Sequence, residues 1–520
     1  MNDAREAELL KVIEEQASEI RLLRQKLDAL ARRVFGKKSE QLDRNQLELL
    51  LQMSGQDTDG PLAGKGSGPE ASLAEPPRPS QKPQASRRRR KEHWPEDLPV
   101  VEQVIEPAKV KADPAAWRRI GEEVSEQLDY EPARFFRRRL VRPKYIKRNK
   151  VDAVPVVAPL PAVLQERCIA APGLLAQIVV AKFADHIPLY RQESIFRSRH
   201  GVHIPRQNMV RWLGMVADWL RPIYEIIRTG VMGGGYVQID ETPVRYLEPG
   251  HGQTRLGYLW TACRPAHKSR EVFYHWETGR SAACLDRIVP VNFAGTLQCD
   301  AYVAYQSFAR TRAGNGHGGA PITLAGCWAH ARRGFYEAKD QASRKAGFIL
   351  RQIGRLFKIE EELDEMNAGP ALRQARRASE SRVIHRRLHT LLVHLKRSRR
   401  YLPKTAMAKA INYALSNWEA LGVYLGNGKV DISNNPVENA IRPTAIGRKN
   451  FLFFGTADSG QRGAILYTII ENCRRHGIDP YAYLRDVLSR LPSMTNWQLE
   501  ETTPAAWATD RRMTSLQKIA

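Results

Sequence analysis

Between residues 236 and 326 the chain alternates runs rich in β-branched and aromatic residues with short connections: Tyr236–Leu247, Leu256–Arg264, Glu271–Glu277, Thr296–Asp300 and Ile322–Gly326. These runs have the length and composition of strands. From about residue 333 to 430 the spacing of apolar residues becomes helical, and helical spacing returns from about 460 to Leu491. Five strands followed by helices restrict the chain to a mixed α/β sheet covered by helices. Gly233-Gly234-Gly235 precedes the first strand as a hinge, and no Gly-Lys-Ser or Gly-Lys-Thr follows it, so a nucleotide P-loop is unsupported.

Three carboxylates stand out in this frame. Asp240 ends the run Tyr236-Val237-Gln238-Ile239, Asp300 ends Thr296-Leu297-Gln298-Cys299, and Glu438 lies in Asn434-Asn435-Pro436-Val437-Glu438-Asn439, 138 positions after Asp300. One Asp on the first strand and another just past the fourth is the order of an RNase H-like sheet. Two strand-end Asp and a distant Glu are the hard oxygen ligands of a two-metal phosphoryl-transfer site, with Mg²⁺ ions roughly 3.5–4 Å apart. Taken singly, each carboxylate is more often a cap or a surface charge, and Glu241 and Asp431 compete for the same roles. Alternation along the first strand puts Gln238 and Asp240 on one face and Ile239 and Glu241 on the other, which favours Asp240.

Charge points to a polyanionic partner. The net charge is +25, and because residues 1–50 hold equal numbers of acids and bases, the whole excess belongs to residues 51–520. Such an excess favours nucleic acid through counterion release, although a solvated basic surface accounts for it as well. The six Cys show no CxxC spacing, which argues against a disulfide framework or structural zinc and fits a reducing cytoplasm. No run of eighteen apolar residues occurs, so no membrane span is expected.

Ile13, Ile20, Leu27 and Val34 recur every seven residues, with Leu9, Leu23 and Leu30 at the companion positions. Residues 1–50 therefore read as a coiled-coil helix for self-association, and 51–92 as a disordered linker ending in Arg87-Arg88-Arg89-Arg90-Lys91. Within 93–160, a small module, the stretch Arg134–Lys150 holds nine Lys/Arg and no acid. Its Arg137, Arg138, Arg139 and Lys144, interleaved with aromatics, suit phosphate contact. In 161–232 the helix Pro188–Arg199, a Gly201-Val202 turn and a helix opened by Pro205 outline a helix-turn-helix, with Arg206, Gln207, Asn208 and Arg211 facing DNA. Many helical hairpins share that outline without touching DNA.

The blocks around the carboxylates resemble the IS66 family of insertion-sequence transposases: Asp240-Glu241-Thr242-Pro243, Cys299-Asp300-Ala301-Tyr302, Cys327-Trp328-Ala329-His330-Ala331-Arg332-Arg333, and Asn434 to Arg442 continuing to Gly447-Arg448-Lys449-Asn450. Phe35 to Glu40, Lys182 to Gln192 and Asp479 to Leu484 extend the likeness over nearly the whole chain. The resemblance implies a multidomain α+β protein. An RNase H-like catalytic domain would span 233–470 with a helical insertion at about 333–430, followed by a C-terminal segment over 471–520. It implies a DDE transposase that binds terminal inverted repeats and target DNA, as a homo-oligomer with or without accessory element-encoded proteins, using two Mg²⁺ or Mn²⁺ ions held by Asp240, Asp300 and Glu438. A transposase-derived DNA-binding protein without catalysis and a structure-specific nuclease are the alternatives. Family members carry zinc-ligand cysteine pairs near residues 113–117 and 144–148; here those positions hold Asp113 to Trp117 and Lys144 to Arg148, so no zinc is expected. His330 reads either as a core histidine bonded to backbone or as a contact to the scissile phosphate or a ligand. Arg332, Arg333, Arg442, Arg448 and Lys449 either clamp DNA or neutralise the acidic cluster.

Overall fold

The computed structural model describes residues 98–131, 134–147, 154–265, 271–314 and 321–517; these lie within one compact unit that begins at Arg90. The expected coiled-coil helix and linker fall outside the described residues.

The chain opens with β1 (Val100–Val104), the short helix α1 (Ala108–Ala112), β2 (Trp117–Glu131), β3 (Arg134–Lys147) and β4 (Val156–Val157). They form a sheet ordered β1-β3-β2, with β4 on β3. β2 and β3 make one long antiparallel hairpin, in which Glu126 faces Arg139 and Glu123 faces Arg142. Arg139 Nε donates to Glu126 Oε1 at 3.0 Å, Lys144 Nζ lies 2.9 Å from Glu123 Oε1, and Arg138 Nη2 donates to Gln103 Oε1 at 3.0 Å. Arg137 lies 4.0 Å from Glu126. The acids of β2 therefore meet the cations of β3, a cross-strand pairing that a reading of β3 alone does not reveal.

Three helices follow: α2 (Pro172–Phe183), α3 (Leu189–His200) and α4 (Arg206–Met232). Gly201, at φ 65, ends α3 by giving its N–H to the Phe196 and Arg197 carbonyls, a left-handed cap that glycine takes without strain. The two-helix outline of the sequence is present, but α4 runs for 27 residues, and its later turns bury Leu220, Ile223, Tyr224 and Ile227 in the main core. Phe135 of the hairpin packs edge-on to Phe196 of α3 at 5.2 Å, so the basic module shares that core.

The main sheet contains β5 (Tyr236–Leu247), β6 (Thr254–Cys263), β7 (Val272–Glu277), then, after helix α5 (Ala282–Ile288), β8 (Gly295–Gln298), and, after helix α6 (Val303–Gly314), β9 (Ile322–Ala325). Its order is β7-β6-β5-β8-β9, with β5, β6 and β7 antiparallel and β8 and β9 parallel to β5. Gly295, at φ +149, starts β8 where any Cβ would lie 2.0 Å from the Gly235 carbonyl oxygen, so glycine lets the two parallel strands begin side by side.

A second apolar core lies in the helical layer that follows: α7 (Trp328–Glu337), α8 (Ser343–Glu365), α9 (Pro370–Arg376), α10 (Arg382–Arg397), α11 (Ala406–Ser416) and α12 (Trp418–Gly426). It includes Tyr236 and Ala325 of the sheet. The chain then closes with α13 (Asn435–Phe451), the two-residue strand β10 (Phe453–Phe454) beside β5, α14 (Ala457–Arg475), α15 (Pro480–Arg490) and α16 (Pro504–Gln517). Among the described residues no helix is long and apolar enough to cross a membrane.

Two arginines of this helical layer, Arg373 and Arg377, are internal. Arg377 is fully buried. Its Nε and Nη2 grip the Glu360 carboxylate at 2.8 and 2.6 Å, and Nη1 donates to the carbonyls of Tyr424 and Val430 at 2.9 Å each. Arg377→Met would leave those carbonyls without a donor and the Glu360 charge with Arg373 at 3.4 Å as its remaining buried partner. Losing one member of such a network costs on the order of 3–5 kcal/mol, so denaturant melting of the variant should show an early transition of the helical layer.

Candidate active site

The last matched pair of β5 and β8 is Gln238 with Gln298. Asp240 and Asp300 each lie two residues further on, at the point where β8 leaves the sheet. β5 continues to Leu247, paired with β6, and Asp240 faces Thr261 there. Asp240 is thus a mid-strand residue on the side that β8 vacates, and not the strand-end residue its local sequence suggests. Past β8, Asp300 Oδ1 accepts the Tyr302 N–H at 3.1 Å, just before α6.

Glu438 arrives from α13, where it occupies the first turn behind Pro436. A helix start favours a carboxylate. The segment leading into this helix is fastened to the sheet by buried side chains. Gln238 Nε2 donates to Gln298 Oε1 at 2.9 Å and to the Ser433 carbonyl at 3.1 Å, and Gln298 Nε2 donates to the Asp431 carbonyl at 2.8 Å. Tyr236 Oη donates to Gln298 Oε1 at 2.6 Å and accepts the Asp431 N–H at 2.9 Å.

Like charges meet at this end of the sheet. Burial pushes Asp240 up to about 7, with Glu241 adding to the rise and then Asp300 and Glu438. Glu241 is otherwise engaged: its Oε2 accepts the Tyr305 O–H at 2.6 Å and its Oε1 pairs with Arg280. Asp431 belongs to the polar cluster beneath, where burial pushes it up to about 6 and its Oδ2 accepts from Gln238 Nε2 at 3.3 Å. Arg280, which sequence reasoning missed, lies 3.8 Å from Asp300 Oδ2 and 3.8 Å over the Tyr302 ring. It sits in a connection with no periodicity to reveal it.

His330, in the first turn of α7, brings Nε2 to 3.6 Å from Glu438 Oε1, beyond a normal hydrogen bond. Glu438 Oε1 and His330 Nδ1 are both buried without a hydrogen-bond partner. A buried carboxylate oxygen in that condition, near enough to Asp240 to help raise its carboxyl, is the kind of hard donor that suits a divalent cation. Among the described residues the one group of histidine, cysteine and carboxylate ligand atoms within 4.8 Å of one another is Cys327, His330 and Glu438, and Asp240 and Asp300 lie outside it. Burial pushes the Cys327 thiol up to about 11, which disfavours the thiolate that a soft metal requires.

The remaining sequence candidates separate into two kinds. Arg206, Gln207 and Arg211 are exposed at the start of α4 with Asn208 half-buried beside them; Arg332 and Arg333 are exposed on α7, and Arg442 and Lys449 on α13. Arg448 is instead a clamp, donating to Thr242 Oγ1 at 2.9 Å and so tying α13 to β5. Arg137, Arg138, Arg139 and Lys144 are partnered within their own sheet, as described above.

Residues 167–462 match the model of a family described as Transposase IS66 family, 468–504 match IS66 C-terminal element, and 22–102 match Transposase C of IS166 homeodomain. The chain belongs to the IS66 family of transposases. It is similar to uncharacterized protein y4jD of Sinorhizobium fredii (strain NBRC 101917 / NGR234), with 34% identity covering 98% of both chains. Uncharacterized protein y4qI of the same organism is 38% identical over 75% of this chain and 72% of its own.

The electrostatic cost of the site is measurable without any ligand. A carboxyl raised to about 7 in the fold, against roughly 4 in an unfolded chain, weakens the fold progressively as pH rises between those values. Asp240→Asn should therefore raise the melting temperature in EDTA, by an amount that grows from pH 4 to about 7 and is constant above. A gain that is absent, or largest at pH 4, would contradict this picture.

Proposed function

We propose that this transposase is a DDE enzyme which binds the terminal inverted repeats of its element, hydrolyses the strand at each end, and joins the released 3′-hydroxyl to target DNA. The observation that carries the reading is the gathering of Asp240, Asp300 and Glu438, from β5, from beyond β8 and from α13, at the place where the parallel half of the sheet opens. The strand order β7-β6-β5-β8-β9, with three antiparallel strands followed by two parallel ones, supports an RNase H-like core. Bound Mg²⁺ or Mn²⁺, expected as two ions, would supply activation of the attacking oxygen and stabilisation of the leaving oxygen. Asp240 and Asp300 would hold both ions and Glu438 would complete the second position. No zinc is assigned to the hairpin module, whose expected thiolate positions carry other residues.

Attack by water breaks the phosphodiester and leaves a 3′-hydroxyl on one fragment and a 5′-phosphate on the other. In the second step that hydroxyl attacks a target phosphodiester and a target 3′-hydroxyl departs, so no covalent protein intermediate forms. His330 would hold the Glu438 carboxylate in place or meet the scissile phosphate. Arg332, Arg333, Arg442 and Lys449 are available to the DNA backbone, and the exposed start of α4, with Arg206, Gln207 and Arg211, to the repeat. A protein of this kind acts on the cytoplasmic nucleoid. The heptad pattern over residues 9–34 supports self-association through an N-terminal helix, which would hold two ends together.

Asp240→Asn, Asp300→Asn and Glu438→Gln should each lower metal-dependent cleavage and joining by about three orders of magnitude, since each removes several kcal/mol of charge stabilisation. All three should still shift end-containing DNA. Wild-type rates in any variant would remove that residue from the site; binding without cleavage by the wild type would favour a non-catalytic DNA-binding role, and cleavage without joining a nuclease.

Removal of residues 1–50 should reduce the mass measured by light scattering and weaken paired-end complexes more than single-end binding. Unchanged mass and pairing would place the assembly interface elsewhere.

A further inference from the structure

A pocket of about 440 Å³ opens between the turn after α2, one face of α13 and the end of α14. Asn439, Pro443 and Ile446 line it from α13, at the spacing of a single helix face. Glu438 is one residue away and turned about 100° from that face. The pocket is rich in guanidinium. Arg474 and Arg475 share one carboxylate, Glu471, at 3.9 and 3.2 Å, and Arg442 is exposed and makes no ion pair among the described residues. Glu471 and, at longer range, Asp185 offset Arg474, and Arg442 adds positive charge to this open-sided pocket.

His186 forms the remaining wall. It is a non-glycine residue held at φ 59, where the Ile187 N–H closes onto the Ala181 carbonyl at 2.7 Å, and its Nδ1 is buried with no hydrogen-bond partner. Nδ1 lies against Gly447 of α13, so the backbone strain fixes the imidazole at the border of the pocket without aiming that nitrogen into it.

We propose that this pocket is a second phosphate subsite: Arg442 and Arg474, with His186 beside them, grip a backbone phosphodiester of the DNA strand about two nucleotides from the phosphate at Glu438. Arginine forks match phosphate oxygens bidentately, and these three side chains come from three different elements that border one open-sided pocket. Four residues of helix separate Arg442 from Glu438, a rise of about 6 Å, comparable to the axial rise of roughly two nucleotides in one strand. The subsite would set the register of the strand by a group that does no chemistry. It ties the α2–α3 turn and α14 to the position of the DNA at the carboxylates.

The proposal rests on the DNA-processing reading above, and its test separates the two. The probe is a duplex carrying the genomic sequence that flanks the reading frame, with a single neutral methylphosphonate placed at each successive position, bound to the full chain in EDTA. An Arg–phosphate contact is a charge-assisted hydrogen bond worth about 1.5–3 kcal/mol, so wild-type binding should fall about tenfold or more at one or two adjacent positions. The Arg442→Ala/Arg474→Ala variant should bind unmodified DNA correspondingly less tightly, show no further loss at those positions, and keep the wild-type pattern elsewhere. Its slope of log affinity against log salt should be shallower by about one per lost phosphate contact, while Arg442→Lys keeps the slope. Thermal melting equal to wild type excludes misfolding as the cause. A double variant with the full wild-type methylphosphonate pattern and salt slope would overturn the subsite even if metal-dependent cleavage of the same duplex is intact. Loss of the position-specific effect in the variant, with no cleavage by the wild type, would uphold the subsite and strike the catalytic reading instead.

Discussion

The candidate site depends on a small buried lattice of polar side chains beneath it. Gln238 and Gln298 are fully buried at the last matched pair of β5 and β8, and Tyr236 lies beside them. Unpaired, such amides and hydroxyls would cost several kcal/mol in this setting. Here they answer one another and reach the Gly326, Asp431 and Ser433 main chain. Because the partners are backbone groups of the segment preceding α13, satisfying the amides also fixes where that helix begins. The long sequence interval between Asp300 and Glu438 is closed by these bonds, and the helical layer in between is joined to the sheet at the same place through Tyr236 and Ala325.

The lattice holds a carboxylate cluster that is electrostatically unfavourable in itself. Asp240 sits at about 7 because burial and the neighbouring Glu241 oppose its ionisation. The fold contains the damage by giving Glu241 its own partners in Arg280 and Tyr305, and by setting Glu438 in the first turn of a helix. Arg280 also approaches Asp300, yet Glu438 Oε1 is left without a donor. Stability is thereby lowered at one point of the fold.

Features that depend on local pattern were legible in the sequence. β5 has the expected limits, β6, β7 and β9 differ from expectation by one or two residues, and the α3–α4 hairpin turns at the expected glycine. β8 is shorter than its apolar run suggests because Cys299 has left the pairing with β5 and gives its N–H to the Ala325 carbonyl of β9. Features that depend on register or on distant partners were hidden. The cations of β3 look free until β2 is laid beside them with its glutamates, and Arg377 looks like a surface charge until α8 brings Glu360 to it. Arg448 resembles a DNA contact by spacing from Glu438 and proves to be a clamp on β5.

If Asp240, Asp300 and Glu438 together hold the cations of the proposed reaction, bound metal must sit above this lattice. Crystals soaked in Mn²⁺ and measured for anomalous scattering test it most directly. The account predicts two peaks roughly 3.5–4 Å apart among those three carboxylates. A single peak held by Cys327 and His330, with none beside Asp240, would contradict it.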